Sequence, residues 1–336
     1  MTQLTCNIAG KTKSQEKYIT MTQDQLRQEI MRMAHENTIA EKLAQLDIFS
    51  NCLMNLVLSN DEAKDHMEVD AKIILQMILS KVLHIRDAFK GMTYISPEDI
   101  ILLNGLLDPT IIGVLSRNLF ETICAFHLIY INTKSAEERR ILHNLWVISG
   151  LKYRQKFTEI ITTEENKEKA ENELREIDRL TEEVKNTEVF QAQGTKGKSK
   201  IITRINQKDY KIIFKGTEVH YLSWQDVTEL LLNQNPLFKE MYTYFSLYAH
   251  PSYISVLQYS QMFNAETEGN KSMAMFNLRF CLILVSIFLS DYLKLFPVAL
   301  PVFENFSDVD QIKMNMYNRM IRGNAYSINN SWELLG

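Results

Sequence analysis

Two stretches of this 336-residue sequence carry polar side chains at helical spacing among apolar neighbours. In the first, Arg117 and Glu121 are four residues apart, so they lie on one face of a helix. An isolated buried charge is costly, and we therefore expect the two side chains to pair and to be at least partly buried. Two interpretations stay open: a structural ion pair that fixes the helix register, or an arginine that its glutamate holds in position for an anionic group.

The second stretch places Tyr242, Ser246 and His250 at intervals of four residues, which makes a polar stripe on one side of a helix. His250 ends this helix, where the helix dipole favours the protonated imidazole. Pro251 and Ser252 follow. Such a corner is also a good structural junction, because the histidine can bind the last carbonyls and Ser252 can cap the next helix. A structural and a functional histidine therefore both stay open.

Arg279 is a third candidate for a buried cation, since it lies inside an apolar helical segment. Glu121 could neutralise this arginine as well. His127, on another apolar helix, is interpreted as a core histidine with satisfied hydrogen bonds. The sequence has no zinc-protease, P-loop, dinucleotide-binding or hydrolase-elbow motif, and the other histidines have no partners at metal-ligand spacing. We predict neither a metal nor a cofactor.

The composition predicts an all-α protein. Hydrophobic residues make up 46% of the chain, while only 11 glycines and 6 prolines are present, which favours long helices with short connections. The net charge of −4 does not by itself indicate nucleic-acid binding, although a local basic patch could provide it. The four cysteines are far apart, as in a cytosolic protein with reduced thiols, and the N-terminal segment has no secretory signal. We expect a cytoplasmic protein.

The apolar periodicity predicts a multi-helix bundle. Residues 1–22 are polar and are predicted to form a loose arm, followed by one helical domain over 23–305 and a C-terminal helix and tail over 306–336. The run from Phe280 to Ser290 is too short for a membrane span, so we expect a core helix and no membrane. Helices are predicted over residues 23–58, 70–90, from Ser96-Pro97, 108–131, 235–250, 252–263, 273–296 and 309–321.

Residues 155–220 differ from the rest and are predicted to protrude as an insertion. The highly charged helix up to Lys185 carries a thin apolar stripe, which indicates either a solvated surface helix or a coiled coil that binds a partner. A flexible loop over 191–199 and a small β-hairpin near 200–214 are predicted next. This stretch is basic and could meet either phosphate or the preceding acidic helix, and intramolecular pairing is favoured. Its basic residues include Lys196, Lys198, Lys200, Arg204 and Lys211.

Residues 117–121 and 242–252 resemble the Arg-x-x-x-Glu and Tyr-x-x-x-Ser-x-x-x-His motifs of a widespread bacterial helical family, which is known only as a domain of unknown function. The resemblance extends over about residues 70–296. That family is distantly similar to the HEPN group of helical ribonucleases of bacterial defence systems. There an arginine and a histidine of one helix meet across a dimer and act on RNA without a metal. No helix of this sequence carries their usual spacing, so Arg117 and His250 could meet only through the tertiary fold.

The resemblance implies an antiphage defence or stress protein, with a metal-independent ribonuclease or toxin activity as the leading hypothesis. Arg117 would hold the phosphate, Glu121 would orient it, and His250 would be the acid and base. A homodimer and an RNA or defence-system partner are the implied partners. The supporting residues would be Tyr242, Ser246, Ser252 and Arg279. Two alternatives stay open: a non-catalytic interaction or scaffold protein, and a small-ligand sensor.

Overall fold

A computed structural model describes residues 21–35, 38–59, 62–98, 101–250, 252–262 and 268–336. Most of the predicted N-terminal arm lies outside the described residues. The predicted mainly α-helical, multi-helix fold is confirmed. The helices are α1 (Gln23–His35), α2 (Ile39–Leu58), α3 (His66–Ala88), α4 (Pro109–Phe126), α5 (Ala136–Arg154), α6 (Glu164–Lys185), α7 (Glu188–Gln191), α8 (Thr195–Gln207), α9 (Trp224–Leu231), α10 (Met241–Ala249), α11 (Tyr253–Met262), α12 (Glu268–Leu295), α13 (Leu300–Glu304) and α14 (Asp308–Arg322).

Helix α4 is at the centre of the larger hydrophobic core, where it packs against α3, α10 and α12. Asp108 begins the helix as predicted: its carboxylate accepts hydrogen bonds from the backbone amides of Thr110 and Ile111, and proline occupies the first turn. Phe120 is fully buried and meets the ring of Phe280 on α12 edge-on, with 5.2 Å between centroids. The helix continues as a π-helical turn over His127–Ile131, so the predicted helical segment up to residue 131 is confirmed.

Helices α5 and α6 form an antiparallel hairpin through a 3-10 segment, Gln155–Ile160. Ile177, Leu180 and Val184 of the predicted apolar stripe are buried against α5 and α8, in a smaller core of their own. Leu174, at the open end of the stripe, is half exposed. The stripe is therefore used mainly within the chain, and no coiled coil with a partner is needed to cover it.

The hairpin predicted near 200–214 is misplaced. The observed strands are β3 (Ile212–Lys215) and β4 (Glu218–Tyr221). Ile201, which was predicted in the first strand, belongs to α8 instead. Part of the predicted flexible loop over 191–199 also belongs to α8. Ile201 and Ile205 are four residues apart and both are buried on one helix face. This burial favours a helix over a strand for the segment. Only the second predicted strand is confirmed.

A second hairpin forms where a helix was predicted from Ser96-Pro97. Strands β1 (Met92–Ile95) and β2 (Ile101–Leu106) pair antiparallel, and Ser96-Pro97 lies in their connection. A serine before proline is restricted to extended backbone, so the same dipeptide can end a strand as well as start a helix. Gly91 has a φ of +75°, and any Cβ there would collide with the backbone of Gly105 across the hairpin.

Two helical stretches of the described residues are long and apolar enough to span a membrane, Pro109–Ile131 and Gly269–Leu295. Their most apolar windows are 56% and 72% buried within the protein, as the core helices of globular proteins are, so this is weak evidence for a span. Cys52, Cys124 and Cys281 are free and buried as predicted, and burial raises the pKa of the Cys52 and Cys281 thiols to about 12.

The most deeply buried charges join α12, α14 and the π-helical turn. The Asp291 carboxylate accepts from Nδ1 of His127 at 2.7 Å and lies 2.8 Å from Nη1 of Arg322, and all three residues are almost fully buried. Arg322 Nε also donates to Asn318 Oδ1 at 2.7 Å. Burial alone would raise the pKa of Asp291, but the charges of His127 and Arg322 outweigh it and hold that pKa below its usual range. His127 is therefore a satisfied core histidine, as predicted.

Replacing Asp291 with asparagine is expected to destabilise the fold by about 3–5 kcal/mol, because Arg322 would stay buried without its counter-charge. Urea unfolding followed by circular dichroism measures the loss. The double variant Asp291→Asn/Arg322→Met should recover much of it, since no unpaired charge remains. Glu304→Gln, at an exposed carboxylate, is the control and should leave the unfolding free energy unchanged. A loss as small as that of the control would contradict the central role of the triad.

The stabilisation by Asp291 should also depend on pH. Because its pKa is lower in the folded chain than its usual value of 3.8, the stabilisation is present above about pH 4 and is lost as the pH falls through the folded-state pKa. The difference in unfolding free energy between the wild type and Asp291→Asn should therefore shrink on acidification. A difference that stays constant from neutral pH to pH 2 would show that the charge of Asp291 is not the cause.

Candidate functional site

The predicted ion pair exists on the exposed side of α4. Arg117 Nε donates to Glu121 Oε1 at 2.9 Å, and Arg117 Nη2 donates to the hydroxyl of Tyr242 on α10 at 3.0 Å. Both members of the pair are partly buried, as predicted. Burial alone would lower the pKa of Arg117, but the hydrogen bond and charge of Glu121 outweigh it and raise that pKa. The ring of Tyr242 stacks on Trp224 of α9, with centroids 6.2 Å apart, so three helices fix the guanidinium.

The rest of the predicted catalytic set does not join this pair. Helices α4 and α10 pack closely, and a Cβ at Gly113 would meet the ring of Tyr248 at 2.9 Å. His250 is exposed at the end of α10, about 12 Å along the helix axis from Tyr242 at 1.5 Å per residue. Within the described residues its ring makes no hydrogen bond. Arg117 and His250 therefore do not share one site within a single chain.

The two predicted supporting serines are bonded to backbone. Ser246 donates to the carbonyl of Tyr242 at 2.8 Å, and Ser252 donates to the carbonyl of Leu247 at 2.9 Å. Ser252 Oγ also accepts from the amide of Ser255 at 3.1 Å, so it caps α11 as predicted. The Ser246 bond lies within α10, those of Ser252 lie at the junction of α10 and α11, and neither hydroxyl contacts Arg117.

The prediction of Arg279 as a buried cation is wrong. Its side chain is exposed and lines an open groove beside Thr38 and Phe276. Phe280, the next residue along α12, is the one that turns into the core. A helix that is apolar in sequence over most of its length can still place one charged residue on its open face.

The predicted basic patch is largely paired within the chain. Arg204 donates to Asp209 at 2.7 Å and lies 4.0 Å from the centroid of the Tyr221 ring, and Lys211 also pairs with Asp209 at 2.7 Å. Lys200 donates to the carbonyl of Val219 at 2.6 Å. Intramolecular pairing was favoured, but the partners are Asp209, carbonyls and aromatic rings of the hairpin rather than the acidic helix α6.

The two remaining basic residues are on the same helix. Lys198 donates to Gln191 Oε1 at 3.3 Å, and Lys196 is exposed near the start of α8. The patch therefore offers few free cations for a phosphate backbone.

A cavity that was not predicted lies between the start of α3 and the α5–α6 hairpin. Its volume is about 480 Å³. His143 of α5 lines it, and His143 Nε2 lies 2.9 Å from Asp70 Oδ2 of α3. Asn144, the next residue, also lines it. His143 and Asn144 are only 4% and 3% exposed, yet Nδ1 of the histidine and Nδ2 of the asparagine have no partner among the described residues.

Charged side chains line much of the same cavity. Arg179 of α6 donates to Glu176 at 2.7 Å and to Glu183 at 3.1 Å, and this pairing holds the pKa of Glu176 below its usual range. Arg140 donates to Glu137 at 3.2 Å and approaches Glu183. The remaining lining residues are Asp65, His66, Met67, Val147 and Leu180.

The cavity combines apolar walls with convergent polar groups, which is the usual character of a small-molecule site. Among the described residues no group of three or more histidine, cysteine or acidic side chains is arranged to hold a metal ion. The arrangement can therefore bind and orient a ligand by hydrogen bonds and charge.

Removing the Tyr242 hydroxyl tests whether Arg117 is held for structural reasons. Tyr242→Phe is expected to lower the unfolding free energy by about 1 kcal/mol, because the partly buried guanidinium loses one acceptor. Urea unfolding measures the change. Tyr253→Phe, at a tyrosine that is 78% exposed, removes the same atom as a control and should have no effect. Equal stability of both variants would mean that the bond to Arg117 contributes nothing to the fold.

Three comparisons with known proteins complete the description of the site. No family model matches the chain, no curated protein matches it, and no solved structure matches it. The resemblance to the bacterial helical family and to HEPN proteins thus rests on the motif residues alone and stays a prediction.

Proposed function

We propose that the protein binds a small organic molecule in the cavity between α3 and the α5–α6 hairpin, and that it acts as a ligand sensor. The observation that carries the proposal is that His143 and Asn144 line the cavity and that each has a buried side-chain nitrogen, Nδ1 and Nδ2, without a partner among the described residues. Leaving such an atom unpaired costs about 1–3 kcal/mol. A ligand that satisfies both atoms would recover that cost on binding.

The position of the cavity supports a sensing role. Asp70 belongs to a helix of the larger core, whereas His143 and Leu180 belong to helices of the smaller core. The bond between Asp70 and His143 joins the two, and a ligand placed beside it would contact both sides. Binding would therefore stabilise one arrangement of the α5–α6 hairpin relative to α3.

The ribonuclease hypothesis stays an untested prediction. It requires Arg117 and His250 to act on one phosphate, whereas Arg117 is bonded to Glu121 and Tyr242 and His250 is two helical turns from that tyrosine. Only a second chain could complete such a site. The cavity needs no second chain, and for that reason we favour ligand binding.

Asn144→Leu tests the proposal. Leucine has the same branching and the same number of side-chain heavy atoms as asparagine, and it removes an amide with an unpartnered nitrogen, so we expect the variant to be as stable as the wild type or more stable. It should also lose ligand binding. Thermal unfolding is measured with a panel of amino acids, aliphatic amines, nucleosides, sugars and dicarboxylates, and at least one class should raise the Tm of the wild type but not of the variant.

Asn172→Leu is the matched control, since Asn172 is exposed on α6 and does not line the cavity. It should keep the ligand response of the wild type. If no class raises the Tm, or if the response persists in Asn144→Leu, the cavity is not a binding site for these molecules.

A further inference from the structure

We infer that the ligand is an uncharged molecule that presents a carbonyl oxygen, as an amide or a lactam does; this rests on the proposed function and adds the chemical class. The inference starts from one face of α5. Arg140, His143 and Asn144 are three and four residues apart, so they share a helix face, and all three line the cavity. Each has a buried side-chain nitrogen without a hydrogen-bond partner among the described residues: Nε of Arg140, Nδ1 of His143 and Nδ2 of Asn144.

Two of these three nitrogens can only donate. A guanidinium Nε–H and an amide NH₂ group accept no hydrogen bond, so the missing partner of Arg140 Nε and of Asn144 Nδ2 is an acceptor. Nε of Arg140 lies 4.0 Å from Oε1 of Glu183, which is too far for a hydrogen bond. An ammonium group brings only hydrogens and satisfies neither nitrogen. A ligand that gains these two bonds therefore carries an oxygen with free lone pairs.

His143 suits the same class of ligand in either protonation state. Its Nε2 lies 2.9 Å from Oδ2 of Asp70, so a neutral ring carries its hydrogen on Nε2 and leaves Nδ1 as an acceptor. An amide or lactam meets that acceptor with the N–H beside its carbonyl. In a protonated ring Nδ1 donates instead, and the carbonyl oxygen accepts from it. One small planar group thus offers both kinds of partner, whereas an ammonium only donates and a carboxylate only accepts.

The charge of the lining disfavours an anion. With neutral histidines the lining carries a charge of −2, from 2 − 4. Both of its arginines already pair with glutamates. A carboxylate ligand would bring a further negative charge into this field and would lose affinity for that reason. The free donors thus argue against a cation and the net charge argues against an anion, which leaves an uncharged acceptor. The charged lining residues are Asp65, Asp70, Glu176, Glu183, Arg140 and Arg179.

The size and the walls of the cavity fit such a molecule. Its volume of about 480 Å³ lies in the range of small-molecule sites. Met67, Val147 and Leu180 supply apolar wall, which can cover the hydrocarbon part of a ring. A small ring that carries an amide or lactam group therefore combines the apolar and polar features of the lining.

Isothermal titration calorimetry on the full chain tests the inference with two matched pairs of probes. Nicotinamide and nicotinate share one ring and differ in an uncharged amide against a carboxylate, and orotate is uracil with an added carboxylate. At least one of the two uncharged probes should bind the wild type, and its anionic counterpart should bind roughly ten-fold more weakly or not at all. The cation 1,4-diaminobutane should not bind, because it accepts no hydrogen bond.

Two variants remove the free donors. Arg140→Lys keeps the positive charge but removes the Nε–H group, and it should weaken binding of the uncharged probe roughly ten-fold, as expected when a hydrogen bond to a charged group is lost. Asn144→Asp exchanges the amide NH₂ for a carboxylate oxygen and should weaken binding at least as much. If that variant fails to fold, Arg140→Lys still decides, since its side chain is 39% exposed. Arg175→Lys and Asn172→Asp make the same changes at exposed positions of α6 outside the cavity and should leave binding unchanged.

The outcomes separate this inference from the proposed function. If neither uncharged probe binds but another class raises the Tm of the wild type in an Asn144-dependent way, the carbonyl ligand is wrong and the binding site stands. If an anionic probe binds as tightly as its uncharged counterpart, or if Arg140→Lys weakens binding no more than Arg175→Lys, recognition of an uncharged acceptor by the free donors is overturned. If no molecule of either experiment binds, both proposals fail.

Discussion

The buried carboxylate of Asp291 constrains the whole fold. A charge in a dry core is tolerated only with opposite charges in contact, and Asp291 takes them from His127 and Arg322. Those residues come from three separate elements, the end of α4 with its π-helical turn, the last third of α12 and the end of α14. None of the three can shift without leaving a charge unpaired. The helix widens to π geometry at His127, the residue that bonds to Asp291.

Both candidate sites depend on this arrangement. With the end of α4 fixed, its outer face presents Arg117 to Tyr242 on α10. Helix α3 packs against α4 and carries Asp70 towards α5. The cavity therefore forms where a helix of the well-fixed larger core meets the α5–α6 hairpin, whose own core is smaller. A ligand site at such a junction couples binding to the relative position of two packed units.

The sequence predicts those features that neighbouring residues determine. Asp108-Pro109 begins a helix because both residues act within one turn, and Arg117 with Glu121 pairs because a helix brings residues four apart together. A short sequence pattern does not predict the local structure when the pattern is compatible with two kinds of secondary structure. Ser96-Pro97 is compatible with the start of a helix and with the end of a strand. Ile201-Ile202 is compatible with a helix and with a strand, and the packing of Ile201 and Ile205 favours the helix. Asp70 contacts His143, and Asp291 contacts Arg322, across distant segments of the chain. The spacing of these residues in the sequence does not predict either contact.

The two candidate sites differ in whether their polar atoms are already satisfied. Arg117 gives hydrogen bonds to Glu121 and Tyr242, so an anion would have to compete with partners that are held in place. A guanidinium whose hydrogen bonds are already made stabilises the packing of its helices, and a ligand adds little binding free energy there. His143 Nδ1 and Asn144 Nδ2 are in the opposite state: both are buried and have no hydrogen-bond partner among the described residues. Each lowers the stability of the empty protein and raises the gain on binding, which is the physical reason to look for function at the cavity.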